Sequence, residues 1–311
     1  MSVALTERQE RDIEALCRIA KENGAVVTLR ELIGLAAIDA SELELEGAFN
    51  PDQKLGSKFQ LESGYLLERP AETGETPRQT VEEELRRRER AAANLRIASV
   101  FGGALRGGTL LVSVSGGNSF LSAREDEDID FFCVTTTNGM WSFVLRAIVM
   151  ARIHRLANRD APVLCFSCIM DERWAREAFG KRQDAIFARD ALTAKLISGG
   201  TAYRALLEEA SWMEDYFPAF YRMRVRDAAP YRRPHQAAGE GQEGSEVLNS
   251  FLHLTLGSFL KMKSWALNRK FTKAGRSSSI FTTRIGSGHY IYESNRYRKL
   301  RTMYGDLSKK A

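Results

Sequence analysis

The chain has 311 residues, 44% hydrophobic and 27% charged, the makeup of a soluble globular protein long enough for more than one core. It has no apolar run long enough to cross a bilayer. Its N-terminus turns charged too soon for a secretory signal, and four cysteines (Cys17, Cys133, Cys165, Cys168) make no disulfide framework, which fits a reducing cytoplasm. The formal charge of +5 is unevenly spread, because residues 251–311 carry thirteen Lys or Arg against Glu293 and Asp306 while the rest is net acidic. Such a basic tail either meets a polyanion (RNA, DNA or nucleotide phosphates) or is the solvated side of an amphipathic helical region.

Thr6 with Gln9, Thr28 with Glu31, and Ser41 with Glu44 each form a capping-box pattern and predict three opening helices. The first would bury Ile13, Leu16, Cys17 and Ala20, and the second carries Leu29, Leu32 and Ile33. Extended runs at 58–61 and 65–68, joined at Glu62-Ser63-Gly64, read as a hairpin. Three helices and a hairpin follow the order of a winged helix, which commonly grips DNA through its third helix. Here that helix offers Glu42, Glu44 and Glu46 and no cation, so a structural or protein-contact role is expected.

Residues 69–78 read as a linker, and Thr80 with Glu83 predicts a charged helix to about Ser99, whose RRRER run at 86–90 is read as a solvated face. Strands follow at 109–115, 129–135 and 163–170, with a short helix near 119–123 and a long apolar helix over 140–156. Further helices are expected at 172–179, 185–197 and 202–212, a second linker at 233–244, and an amphipathic helix at 247–268 before a basic, aromatic tail. The expected division is residues 1–75, 76–232 and a basic helical region 245–311.

Chemistry concentrates in Ser115-Gly116-Gly117-Asn118-Ser119 and Asp128-Ile129-Asp130-Phe131. A glycine pair at a strand end lets backbone amides approach a phosphate closely. Strand alternation places Asp128 and Asp130 on one face, about 7 Å apart, with Ile129 on the other. Two carboxylates beside a phosphate cradle suit one or two Mg²⁺ ions, and burying them unpaired at the start of the apolar run FFCV would be costly.

This arrangement, GGNS followed by DEDIDFFCV, resembles the signature of the DNA polymerase beta-like nucleotidyltransferase superfamily. NGMWSFVLRAIVM, VLCFSCIM, DAIFARDALTAKLI and EEASWMEDYFP extend the resemblance to a bacterial group of stand-alone nucleotidyltransferase-domain proteins with a winged-helix-like N-terminus. The resemblance implies an α+β fold, a small mixed sheet with flanking helices, and an enzyme that transfers a nucleoside monophosphate from an NTP to a hydroxyl acceptor. It implies that Ser115, Gly116, Gly117 and Ser119 contact the triphosphate and that Asp128 and Asp130 ligate Mg²⁺ (or Mn²⁺). The superfamily's usual third carboxylate comes from the neighbouring strand. Here neither Val163, Cys165, Ser167 and Ile169 nor Leu164, Phe166, Cys168 and Met170 includes an acid. Asp171 is a substitute, with the alternative that it caps the next helix. The missing acid keeps a second function open, a weak or inactive nucleotidyltransferase-fold protein in nucleic-acid or nucleotide binding.

The spacing Cys165-x-x-Cys168 lacks a second pair for zinc, and regular alternation would point the two thiols to opposite faces, as buried strand residues. In the tail, Lys261, Lys263, Arg269, Lys270, Lys273, Arg276 and Arg284 lie among Phe259, Trp265, Phe271 and Phe281. These either suit a nucleic acid or belong to a helix that packs its aromatics inward. The expected partners are an NTP and, through this region, a nucleic acid; no membrane partner is expected.

Overall fold

The structure is a computed structural model that describes residues 4–36, 38–69, 76–227, 243–276 and 279–308. It is an α+β protein with a three-stranded antiparallel sheet and a six-stranded mixed sheet. The expected linkers at 69–78 and 233–244 fall largely outside the described residues. No helix among the described residues is long and apolar enough to cross a membrane.

The N-terminal unit comprises α1 (Glu7–Glu22), β1 (Val27–Thr28), α2 (Leu29–Leu35), α3 (Glu42–Glu46), β2 (Phe59–Glu62) and β3 (Tyr65–Glu68). Thr6, Thr28 and Ser41 cap the three helices reciprocally with Gln9, Glu31 and Glu44, as the sequence predicts. Ser63 (φ 53°) and Gly64 (φ 82°) are the two-residue link between β2 and β3, the twist-matched turn of a tight hairpin. β1, unrecognised in the sequence, adds to the hairpin in the order β1-β3-β2. Glu42, Glu44 and Glu46 on α3 are all exposed.

Helix α4 (Pro77–Ala104) begins earlier and ends later than expected: Thr76 and Gln79 form its capping box and Pro77 supplies the first turn. Its 28 residues span about 42 Å. Val81 packs with Tyr65 and Leu67 of the hairpin, whereas Ala98 and Phe101 pack on the main sheet. The arginine run is a seam as well as a solvated face. Arg87 donates to the Gly24 carbonyl, Arg88 pairs with Glu31 and Glu84 beneath the Tyr65 ring, and Arg90 donates to the Ala123 carbonyl.

The main sheet forms from β4 (Thr109–Ser115), β5 (Ile129–Thr135), β6 (Leu164–Asp171), β7 (Lys195–Ser198), β8 (Phe281–Ile285) and β9 (His289–Ser294), in the order β7-β4-β5-β6-β9-β8. α5 (Gly116–Ser119) follows β4. α6 (Met140–Ala157) is the crossover that makes β5 and β6 parallel. Then come α7 (Glu172–Gly180), α8 (Ala185–Thr193), α9 (Gly200–Glu209) and α10 (Pro218–Asp227). β7 occupies residues expected to prolong the helix before it.

The C-terminal region is not purely helical. α11 (Glu246–Leu252) passes through a π-helical turn (His253–Gly257) into α12 (Ser258–Lys273), and α13 (Asn295–Ser308) follows the β8–β9 hairpin. β9 pairs with β6, Cys168 opposite Ile291, so the tail completes the main sheet. One face of that sheet, through Val112, Ile129, Phe131 and Cys133, meets α4, α6 and α12. The other, through Phe132, Val134 and Met170, meets α7–α10 and α13, and its core continues into α1 and α2.

Candidate functional site

β4 ends at Ser115, directly opposite Asp130 on β5. Gly116 then turns with φ +68°, a conformation that costs any residue with a Cβ, and a Cβ there would lie 2.9 Å from Asp130 Oδ2. Gly117 is covered by Glu127, whose Oε1 would lie 2.2 Å from an added Cβ. Asn118, buried, donates from Nδ2 to the Asp128 carbonyl (2.9 Å) and accepts from Asn94 of α4 (2.9 Å). The glycine turn, the loop leading into β5 and the long helix are thus tied together. Ser119 is buried and donates to the Gly116 carbonyl (2.8 Å), so it braces the turn and does not line the cleft.

Ile129 and Phe131 are in the core under α6 while Asp130 shares its face with Phe132. Asp128, expected on the strand beside Asp130, instead immediately precedes the paired strand and is not among the residues that line the cleft with Asp130. Burial is the main cause that raises the Asp130 pKa, to about 7; the charges of Asp128 and Glu127 add to it, and hydrogen bonds from Cys165 and Ser167 oppose it. Asp128 is also raised, by burial and then by Asp126 and Glu127, with Arg155 opposing. Burial holds the Cys165 thiol well above its ordinary range, so it stays protonated and donates to Asp130.

The register of β5 on β6 slips between Asp130 opposite Cys165 and Phe132 opposite Cys168. This bulge puts one extra β6 residue against β5 and shifts the alternation. Cys165 and Ser167 reach Asp130, and Cys168 and Met170 line the same side, while Leu164, Phe166 and Ile169 pack toward α6. The facing set therefore mixes the two expected from regular alternation, and both thiols come to one side of the sheet. It still contains no acid. Asp171 does not join this site: it pairs opposite Thr135, at the far end of β5 from Asp130, and its Oδ1 accepts from the Trp174 amide (2.8 Å) as the N-cap of α7.

Gly116, Asp130, Asp190, Ser294 and Tyr297 are common to two adjoining lobes of one cleft. One lobe runs between β6, α7, α8 and β9 to Trp174, Glu293 and Arg301; the other runs toward α1, past Gly117, Glu127 and Arg189. Asp190 is paired with Arg189 (2.6 Å), whose guanidinium lies between the Phe120 and Tyr304 rings. Glu293 accepts from Arg284 (2.7 Å) and Arg301 (3.1 Å). Asp190, Glu293 and Glu127 belong to no motif that marks them as site residues in the sequence. Asp190 lies inside the DAIFARDAL run, but only the fold turns it toward Asp130's cleft. Among the described residues no three acidic, cysteine or histidine side chains gather as a metal cage. No family model, curated protein or solved structure matches the chain.

Proposed function

We propose that the cleft binds an NTP with Mg²⁺ (or Mn²⁺) and transfers its nucleoside monophosphate to a hydroxyl acceptor, as a nucleotidyltransferase-fold enzyme with an N-terminal winged helix. The observation that carries this reading is the contact of Gly116 with Asp130: a left-handed glycine turn, free of side chain, packed on a carboxylate. A bound triphosphate is held by close backbone amides and by a divalent cation on carboxylates, and this pair would supply the backbone approach and one carboxylate for the cation. Asp128 and Asp130 would hold the cation. They fit it, because neither has an ion-pair partner among the described residues and each is pushed toward its neutral form by burial and by neighbouring acids. A cation held by two carboxylates and completed by substrate phosphates needs no all-protein cage. When bound, it would neutralise phosphate charge and orient the oxygens of an in-line displacement.

The chain's own residues have distinct parts in this reading. Gly116 and Gly117 let the backbone approach the phosphates, and Ser115 lines the cleft beside them. Cys165 and Ser167 lie against the Asp130 carboxyl and favour its charged form. Asp190, in both lobes, is the carboxylate we assign to the acceptor side.

Binding without turnover is the second reading. It is favoured by the thiol and hydroxyl, in place of an acid, on the strand beside Asp130. Incubation of the purified protein with each labelled NTP, Mg²⁺ or Mn²⁺ and total RNA or lysate separates the two. Pyrophosphate release with label transfer supports the enzyme, and metal-dependent NTP binding without release supports the second reading. NTP binding that survives Asp128→Asn with Asp130→Asn overturns the site itself.

A further inference from the structure

Helices α6 and α11–α12 lie over the same face of the main sheet and touch each other, Asn249 Oδ1 accepting from the Trp141 amide (3.0 Å) and Trp141 packing on His253. Their inner sides are core; their outer sides are apolar and, among the described residues, uncovered. On α6, Leu145, Val149, Ile153 and Leu156 recur at helical spacing and are 42% to 80% exposed. On α11–α12 and the turn between them, Phe251, Leu254, Phe259, Met262 and Trp265 are 52% to 69% exposed. The aromatics of α12 therefore do not all pack inward. A run of this size on an outer surface marks an interaction face.

Its charge selects the partner. Glu246, at the start of α11, is the one acid on these helices, and none follows it before Glu293, while Arg152, Arg155, Arg159, Lys261, Lys263 and Lys270 stand exposed among the apolar side chains. A second copy would bring like charges together. A nucleic acid would use the cations and some of the aromatics but has no place for Leu145, Val149, Ile153 or Leu156. An anionic bilayer takes both, aliphatic and aromatic groups at the acyl boundary and cations at the headgroups. We infer that this face docks on an anionic lipid surface, with the protein lying on the membrane without spanning it. No segment is long and apolar enough to cross a membrane, so none is expected as a partner from the sequence; the outward turn of these side chains changes that expectation. Gly116 and Asp130 belong to the opposite side of the sheet, so docking leaves their cleft open.

The test is sedimentation of the full chain with vesicles of phosphatidylcholine alone and of equal parts phosphatidylcholine and phosphatidylglycerol. The expected result is binding to the anionic vesicles only, weakening with salt, and a blue shift of tryptophan emission that is lost in Trp265→Phe. Ile153→Gln with Phe259→Gln should weaken binding by roughly tenfold or more. Lys261→Gln with Lys263→Gln and Lys270→Gln should weaken it similarly and flatten the salt dependence. These side chains are exposed, and unchanged circular dichroism checks the fold. No binding to the anionic vesicles overturns the inference, as does binding indifferent to Ile153→Gln with Phe259→Gln. So does a dimer, or an RNA complex, that these apolar substitutions disrupt while the vesicles go unbound.

Discussion

Asp130 gives up its proton at about pH 7 in the folded protein, and at about 4, the ordinary carboxylate value, once unfolded. The folded state thus holds this proton more tightly, so the contribution is fully present below pH 4 and lost as pH rises to about 7. Asp130→Asn cannot ionise and should flatten that decline. Relative to wild type it should gain up to about 2 kcal/mol between pH 4 and 8, a figure reduced for the partial exposure of the group. Urea unfolding at pH 5 and pH 8 reads the difference. At pH 8, Mg²⁺ should raise the wild-type melting temperature and leave the variant unmoved. The two glycines respond differently. Gly116→Ala meets both a positive φ and the Asp130 carboxylate, and should cost about 1–2 kcal/mol and weaken NTP binding. Gly117→Ala meets only the flexible end of Glu127, which can swing away, so its cost in urea unfolding should be the smaller.

At the scale of elements, Asp171 offers a clean contrast between a cap and a catalytic acid. Asp171→Asn keeps an acceptor for the Trp174 amide and should change stability by less than about 0.5 kcal/mol, whereas Asp171→Ala should lose about 1 kcal/mol in thermal unfolding. Transfer should survive in both, since the residue stands at the far end of its strand. The opening helices were legible because a capping box is local: Thr6, Thr28 and Ser41 find their partners three residues on, whatever the tertiary fold. The start of α4 lies one turn before the expected one: Thr76 with Gln79 matches that pattern as Thr80 with Glu83 does, and Pro77 favours the earlier pair. The apolar runs of β4 and β5 announced themselves, and with them Gly116 and Asp130. The bulge in β6 carries no such mark, since one extra residue changes which side chains face Asp130 without changing composition. β8 and β9 were hidden because Thr, Arg, Tyr and Glu alternate through them with little apolar signal.

Across the whole molecule, distant parts of the chain share one core: Arg296 donates to Asn23 (3.1 Å), Lys299 pairs with Glu22 (2.7 Å), and Tyr304 is buried in the core that includes α1. Removing residues 243–311 would strip β9 from β6 and leave an unpaired edge above an opened cleft. The expected outcome is aggregated or poorly folded protein, read by solubility and circular dichroism. The same cross-chain arrangement sets a clock on synthesis. β5 and the glycine turn leave the ribosome well over a hundred residues before β9, so for several seconds or more the growing chain carries β6 as a bare edge. Ser294 and Tyr297 close the cleft only when the last part of the chain arrives. A nascent chain therefore has no complete cleft while it is still being made, and under the proposed function nucleotide added during translation would stabilise only finished molecules.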